Sequence, residues 1–85
     1  MRHQLSSHAQ DEMVIRNISH ATLLDVLTNP GQVIDQGANK KVYQSIQMVA
    51  GRRWLIRVVV GHDVDPPVVI TLYKTTQVDR YWKTT

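Results

Sequence analysis

Two hydrophobic periodicities follow one another in this chain, and they change over at Asn29-Pro30-Gly31. Before that point apolar residues recur at helical spacing; after it they alternate with a period of two. Proline disfavours helix in the residue before it, and glycine tolerates left-handed backbone, so the tripeptide ends a helix. Helices first and strands afterwards point to the α+β class, with the helices lying on one side of an antiparallel sheet. No cysteine is present, so neither disulfides nor thiolate metal sites can support the fold. The 85 residues are therefore expected to share one core in a single domain, residues 1–85. A chain this short buries roughly 60% of the surface its unfolded form exposes.

In the helical part, Ser7 is expected to cap a first helix, with Gln10 completing a capping box. Ala9, Met13 and Ile15 supply its apolar stripe, and it should stop near Asn17. Ser19 is a good cap for a second helix. The buried face of that helix reads as Ala21, Leu24, Val26 and Leu27, with Leu23 nearby.

Four strands are expected in the second part. Gln32 to Asp35 reads as a short one, followed by a turn at Gly37-Ala38-Asn39. Lys41 to Ala50 alternates, with Val42, Gln44, Ile46 and Met48 on one side and Tyr43, Ser45, Gln47 and Val49 on the other. Gly51-Arg52 is read as the hairpin, and Arg53 to Val60 as the next strand. Its inward set is Trp54, Ile56, Val58 and Val60, which leaves Arg53, Leu55, Arg57 and Val59 facing away. After a turn-rich loop over Gly61 to Pro67, Val68 to Tyr73 forms the last strand, with Val68, Ile70 and Leu72 inward. The face away from the helices then carries arginines beside Tyr43, Ser45, Gln47, Thr71 and Tyr73. The segment from Gln77 to Thr85 fits either a short strand or a loop.

Charge is divided unevenly. Residues 1–39 set Arg2 and Arg16 against Asp11, Glu12, Asp25 and Asp35, a net of −2; residues 40–85 carry +5, which brings the whole chain to +3. A basic C-terminal half suits an anionic partner, nucleic acid above all, and equally a solvated basic surface. No apolar run approaches the roughly 18 residues needed to span a bilayer. Met1 is followed by polar residues, so a complete, cytoplasmic chain is expected, with no membrane partner.

At this point a resemblance enters. His8 through Ile15, Arg16-Asn17-Ile18-Ser19, Leu24-Asp25-Val26-Leu27 and Asn29-Pro30 resemble the opening of a small bacterial family, domain of unknown function 4258. Gly51-Arg52-Arg53, the strand from Arg57 to Val60, Val69 to Tyr73 and an aromatic-basic tail resemble its end. The likeness runs from His8 to Lys83. Asn17 stands where the family pattern often has glycine, so the turn between the helices is expected to be built differently. The resemblance implies a toxin-like α+β domain of the RelE/barnase-like type, with two short N-terminal helices on a twisted antiparallel sheet of about four strands. It further implies RNA as substrate and an inhibitory, antitoxin-like protein as partner.

Cutting RNA without metal requires a base for the 2′-hydroxyl, an acid for the leaving oxygen and cations for the phosphorane charge. His8 is the candidate base. Arg57 suits a phosphate clamp because its planar fork binds two oxygens at once. Tyr73 can supply a proton or a hydrogen bond, completing the catalytic set. Arg16, Arg53, Lys74, Arg80 and Trp82 are the candidate RNA-binding residues, Trp82 with Tyr81 by stacking on bases, although such a pair more often closes the edge of a small core. Neither a cofactor nor a metal site is expected, because a turn is the plainer reading of His62, Asp63 and Asp65.

Each of these residues also has a structural reading. His8 can be merely solvated, and Arg16 can neutralise its helix terminus, an effect under about 1 kcal/mol. Arg53 and Arg57 can pair with carboxylates or cover a subunit contact, and Tyr73 is a good β-former. A non-catalytic module that binds protein or RNA through the same face is the rival to a ribonuclease. A homodimer paired through an exposed sheet edge is a third reading.

Overall fold

The computed structural model describes residues 2–84. It begins with a strand too short to leave a periodic signal, β1 (Gln4–Leu5), which lies parallel to β5 (Val68–Thr75). That pairing settles where the first helix starts. Ser6 donates its backbone N–H to the Val69 carbonyl (3.1 Å) and its hydroxyl to that of Ile70 (2.8 Å). The same hydroxyl accepts from Ala9 N (3.0 Å), which makes Ser6 the cap of α1 (Ser7–Ile15) in place of Ser7.

Helix α1 buries Ala9 and Met13, four residues apart, and leaves Ile15 74% exposed, so Ile15 is not part of its stripe. It closes in a Schellman motif: Ile18 N donates to the Met13 carbonyl (2.9 Å) and Asn17 N to that of Val14 (3.2 Å). Asn17 takes φ 54°, the left-handed conformation that glycine favours and asparagine tolerates. The turn is thus built as glycine would build it. Ile18 and Met13 both join the core, which is the apolar contact such a turn usually carries.

Ser19 caps α2 (His20–Thr28), accepting from Thr22 N at 3.1 Å. Its buried stripe is Leu23, Val26 and Leu27, whereas Ala21 and Leu24 face solvent. Helical spacing fits either stripe. The roll of the helix follows from the preceding turn, which buries Ile18 immediately before it.

The sheet also contains β2 (Gln32–Asp35), β3 (Lys40–Val49) and β4 (Arg52–Gly61), in the order β1-β5-β4-β3-β2. Five strands stand where four were expected, and the sheet is mixed because β1 runs parallel to its neighbour. The β3–β4 hairpin turns on Ala50-Gly51, both at positive φ (52° and 76°), one residue earlier than Gly51-Arg52. Helix α1 lies on β5, and α2 lies on β3 and β4.

Under the helices sit Ile56, Val58, Val60, Val69 and Leu72, with Trp54 and Tyr43 packed at the margin. Tyr43 pairs with Val58, Ser45 with Ile56 and Gln47 with Trp54, so all three lie on the helix side, not beside the arginines. The more apolar set of β3 faces the other way. On β5 a register shift at Val59/Val60 pairs Leu72 with Val58 and Val69 with Val60. This bulge brings Val69 inward in place of Val68 and Ile70.

The segment after β5 is neither strand nor plain loop: it contains a one-turn helix, α3 (Val78–Tyr81), which packs on β4. Thr85 lies outside the described residues. Val42, Leu55 and Val78 are buried apart from the main core, on the α3 side of the sheet. No helix among the described residues is long and apolar enough to cross a membrane.

The two candidate stripes of α2 separate cleanly in an unfolding experiment. Leu23 is 0% exposed and Leu24 is 49% exposed. Leu23→Ala should cost about 2–5 kcal/mol in urea titrations. Leu24→Ala should cost less than about 1 kcal/mol. Equal losses would mean that the helix is rolled differently.

Candidate functional site

Arg57 lies mid-strand between Ile56 and Val58, both of which point into the core. Alternation therefore sends its side chain to the opposite face, where it is only 8% exposed. Its register partners are Gln44 on β3 and Tyr73 on β5, and Gln44 in turn pairs with Gln32 on β2. Four adjacent strands thus contribute one polar residue each to a single row.

The row is hydrogen-bonded along its length. Arg57 Nε donates to Gln44 Oε1 (2.8 Å) and Arg57 Nη1 to Tyr73 Oη (2.6 Å). Gln44 Nε2 donates to Gln32 Oε1 (2.7 Å) and to the Tyr81 carbonyl (3.3 Å). Gln32 then clasps Lys83, donating to its carbonyl (2.6 Å) and accepting from its backbone N–H (3.0 Å). Above the guanidinium lies the Tyr81 ring, its centroid 4.4 Å from Cζ, with Tyr73 edge-on to Tyr81.

A cation withdrawn from water is normally matched by a carboxylate, because desolvation costs several kcal/mol. Among the described residues none pairs with Arg57. Its charge is offset by two charge-assisted hydrogen bonds, about 1.5–3 kcal/mol each, and by a cation–π contact of about 2 kcal/mol. Nη2 makes no hydrogen bond. Because no buried side-chain nitrogen or oxygen among the described residues lacks a partner, Nη2 retains contact with solvent.

Around this centre the face is basic. Arg53 lies on the same side of β4 and reaches Asp79 at 3.9 Å, an exposed pair of little energetic weight. Arg80 on α3 stacks near Tyr81 (5.4 Å) and donates to Gln77 Oε1 (3.3 Å). Arg53 and Arg80 border an open cleft of about 650 Å³ between the hairpin and α3.

The remaining candidates lie elsewhere. His8 sits on α1, across the sheet from Arg57, with its side chain 63% exposed and Nε2 4.0 Å from Glu12 Oε1. Arg16 bonds the same glutamate one turn further on. His8 and Arg57 do not converge, because α1 covers the opposite face. Lys74 pairs in register with Ile56, which also puts it on the helix side, with Nζ 5.2 Å from the Trp54 ring. Trp82 packs on Gly31 so closely that an added Cβ there would lie 2.8 Å from its ring. It closes the tail against the sheet.

Sequence reasoning missed Gln32 and Gln44, and named Tyr81 only beside Trp82, without its place over Arg57. Counting back from the hairpin puts Gln44 on the Arg57 side, but the neighbouring Val42, Ile46 and Met48 disguised it as a core position. The partner of Tyr81 left no signal, since nothing local says where the tail will dock.

Comparison with known proteins adds one finding: the chain belongs to the family described as a domain of unknown function, DUF4258, whose model matches residues 5–74. No curated protein and no solved structure matches it.

The row should behave as a coupled unit. Gln44→Leu strands Arg57 Nε without an acceptor and should cost about 1–3 kcal/mol. Adding Arg57→Met should recover much of that loss, since an apolar replacement of a buried charge is often neutral or better. Simple additivity of the two single losses in a double-mutant cycle would refute the coupling.

Proposed function

We infer that this DUF4258 member is an RNA-directed, toxin-like protein that grips the phosphate backbone on the sheet face carrying Arg57. The observation that supports this reading is the buried guanidinium itself: it has no carboxylate partner and one nitrogen is still open. A guanidinium held rigidly on a central strand, with N–H groups still to donate, is prepared for an anionic oxygen acceptor, which phosphate offers. Arg53 and Arg80 add further cations along the same side, as a polyanion requires. The grouping with ribonuclease-like toxins that the family resemblance implies favours RNA among the polyanions, and an inhibitory protein covering this face would silence it.

Metal-independent cleavage is the second reading, favoured by the 2.6 Å contact between Tyr73 Oη and Arg57 Nη1. In it the RNA 2′-hydroxyl attacks phosphorus and loses its proton to water. The 5′-oxygen leaves with a proton from Tyr73, and a 2′,3′-cyclic phosphate remains. Arg57 stabilises the charge that builds on the phosphorane oxygens. His8, on the far side of the sheet, takes no part.

Binding of single-stranded RNA should fall linearly with salt on logarithmic axes. The slope should shrink by about 0.7 for each phosphate-contacting cation removed. Arg53→Ala and Arg80→Ala should each show that change, while Lys74→Ala and His8→Ala should leave the slope alone. No binding at low salt by the folded protein would end this reading.

Cleavage has its own check. RNA incubated with chelator should acquire cyclic phosphate ends, and Tyr73→Phe should slow this about 10²–10⁴-fold. His8→Ala should not slow it. Intact RNA under all conditions would leave binding as the sole activity.

A further inference from the structure

We propose that residues 76–84 form a strap that closes over Arg57 and must lift before an anion can reach it. The proposal concerns regulation of the phosphate-binding face and rests on that reading for its ligand. Tyr81 lies with its ring 4.4 Å over the guanidinium, and Arg57 is only 8% exposed, so with the segment in place the N–H edge that a phosphate bonds is too enclosed to admit one. No strand pairing fastens the segment to the sheet. Besides the burial of Val78 against β4, it is tied by side-chain amides: Gln44 holds the Tyr81 carbonyl, and Gln32 holds both backbone groups of Lys83. Trp82 wedges against Gly31 as a further point of attachment. Its helix, α3, has four residues and no side-chain cap. The segment also lies beyond the stretch shared with the family, which already contains Arg57, Gln44 and Tyr73. Arg57, its two partners and Arg53 thus lie outside the strap, which covers the guanidinium and carries Arg80 with it.

The thermodynamics are those of a ligand that binds only an open state. Closure lowers apparent affinity by the fraction of molecules that are open, and loosening the strap restores it. Phosphate shifts the balance because it engages the guanidinium only when Tyr81 is displaced. The release needs no change in the helix layer, since the strap and α1/α2 lie on opposite faces.

Two variants test this by different routes. Tyr81→Ala removes the cover, and Gln32→Ala cuts the tether at Lys83 while leaving the cover in place. Arg57 labelling by phenylglyoxal, mapped by mass spectrometry, reports the strap without reference to any ligand. Titration with a single-stranded RNA oligonucleotide reports its effect on binding. Both variants should label Arg57 faster than the parent and bind the oligonucleotide at least about tenfold more tightly. Labelling at the parental rate in both variants would overturn the strap, as would weaker RNA binding, which would make Tyr81 a contact of the site. Faster labelling with no RNA binding by any form would uphold the strap and remove the RNA reading instead.

Discussion

A buried guanidinium carries five N–H groups in one plane, and each must meet an acceptor, an aromatic face or water. In this chain that requirement organises one whole side of the sheet. Arg57 draws Gln44 and Tyr73 to its own level on the flanking strands. The amide of Gln44 then needs acceptors of its own, found in Gln32 and the Tyr81 carbonyl, and Gln32 closes on Lys83. One charge is thereby propagated into a row spanning four strands and into the docking of the chain's last residues. Fully satisfied networks of this kind specify a unique arrangement, and partly satisfied ones are costly. The open Nη2 is a place where this network has room for another partner.

The opposite side of the sheet does the conventional work of stability. Ser6 serves two masters, bonding β5 and capping α1, so the shortest strand and the first helix are held by one residue. The Schellman turn at Asn17 directs α2 on to Leu23, Val26 and Leu27. The two sides meet at the bulge in β5. In a regular strand Val69 and Tyr73 would share a face, and burying one under the helices would bury the other. One extra residue lets Val69 enter the core while Tyr73 stays against Arg57. Bulges often re-aim side chains beside functional sites, and this one keeps the polar row in register.

The division of labour also separates residues that chemistry alone would group. His8, Arg16 and Lys74 are plausible companions for a phosphate, yet they lie with the helix layer. Arg53 and Arg80 share the face of Arg57. Nothing in residue type distinguishes the two groups, because the distinction is made by which side of the sheet α1 covers.

What the sequence determined by itself was everything governed by near neighbours. The positions of both main helices, the cap at Ser19, the four main strands and the α+β order follow from periodicity and turn residues. So does the opposition of Arg57 to Ile56 and Val58, because alternation along one strand is a matter of covalent geometry. The tertiary structure decided what depends on segments far apart in the chain. It chose the face that β3 presents, the roll of α2, the inward turn of Val69, the pairing of Gln4–Leu5 and the docking of Tyr81 over Arg57. In each case at least two local solutions satisfy the pattern equally well. Only contact with a distant partner, whether a helix turn, a bulged strand or a buried charge in need of acceptors, separates them in energy.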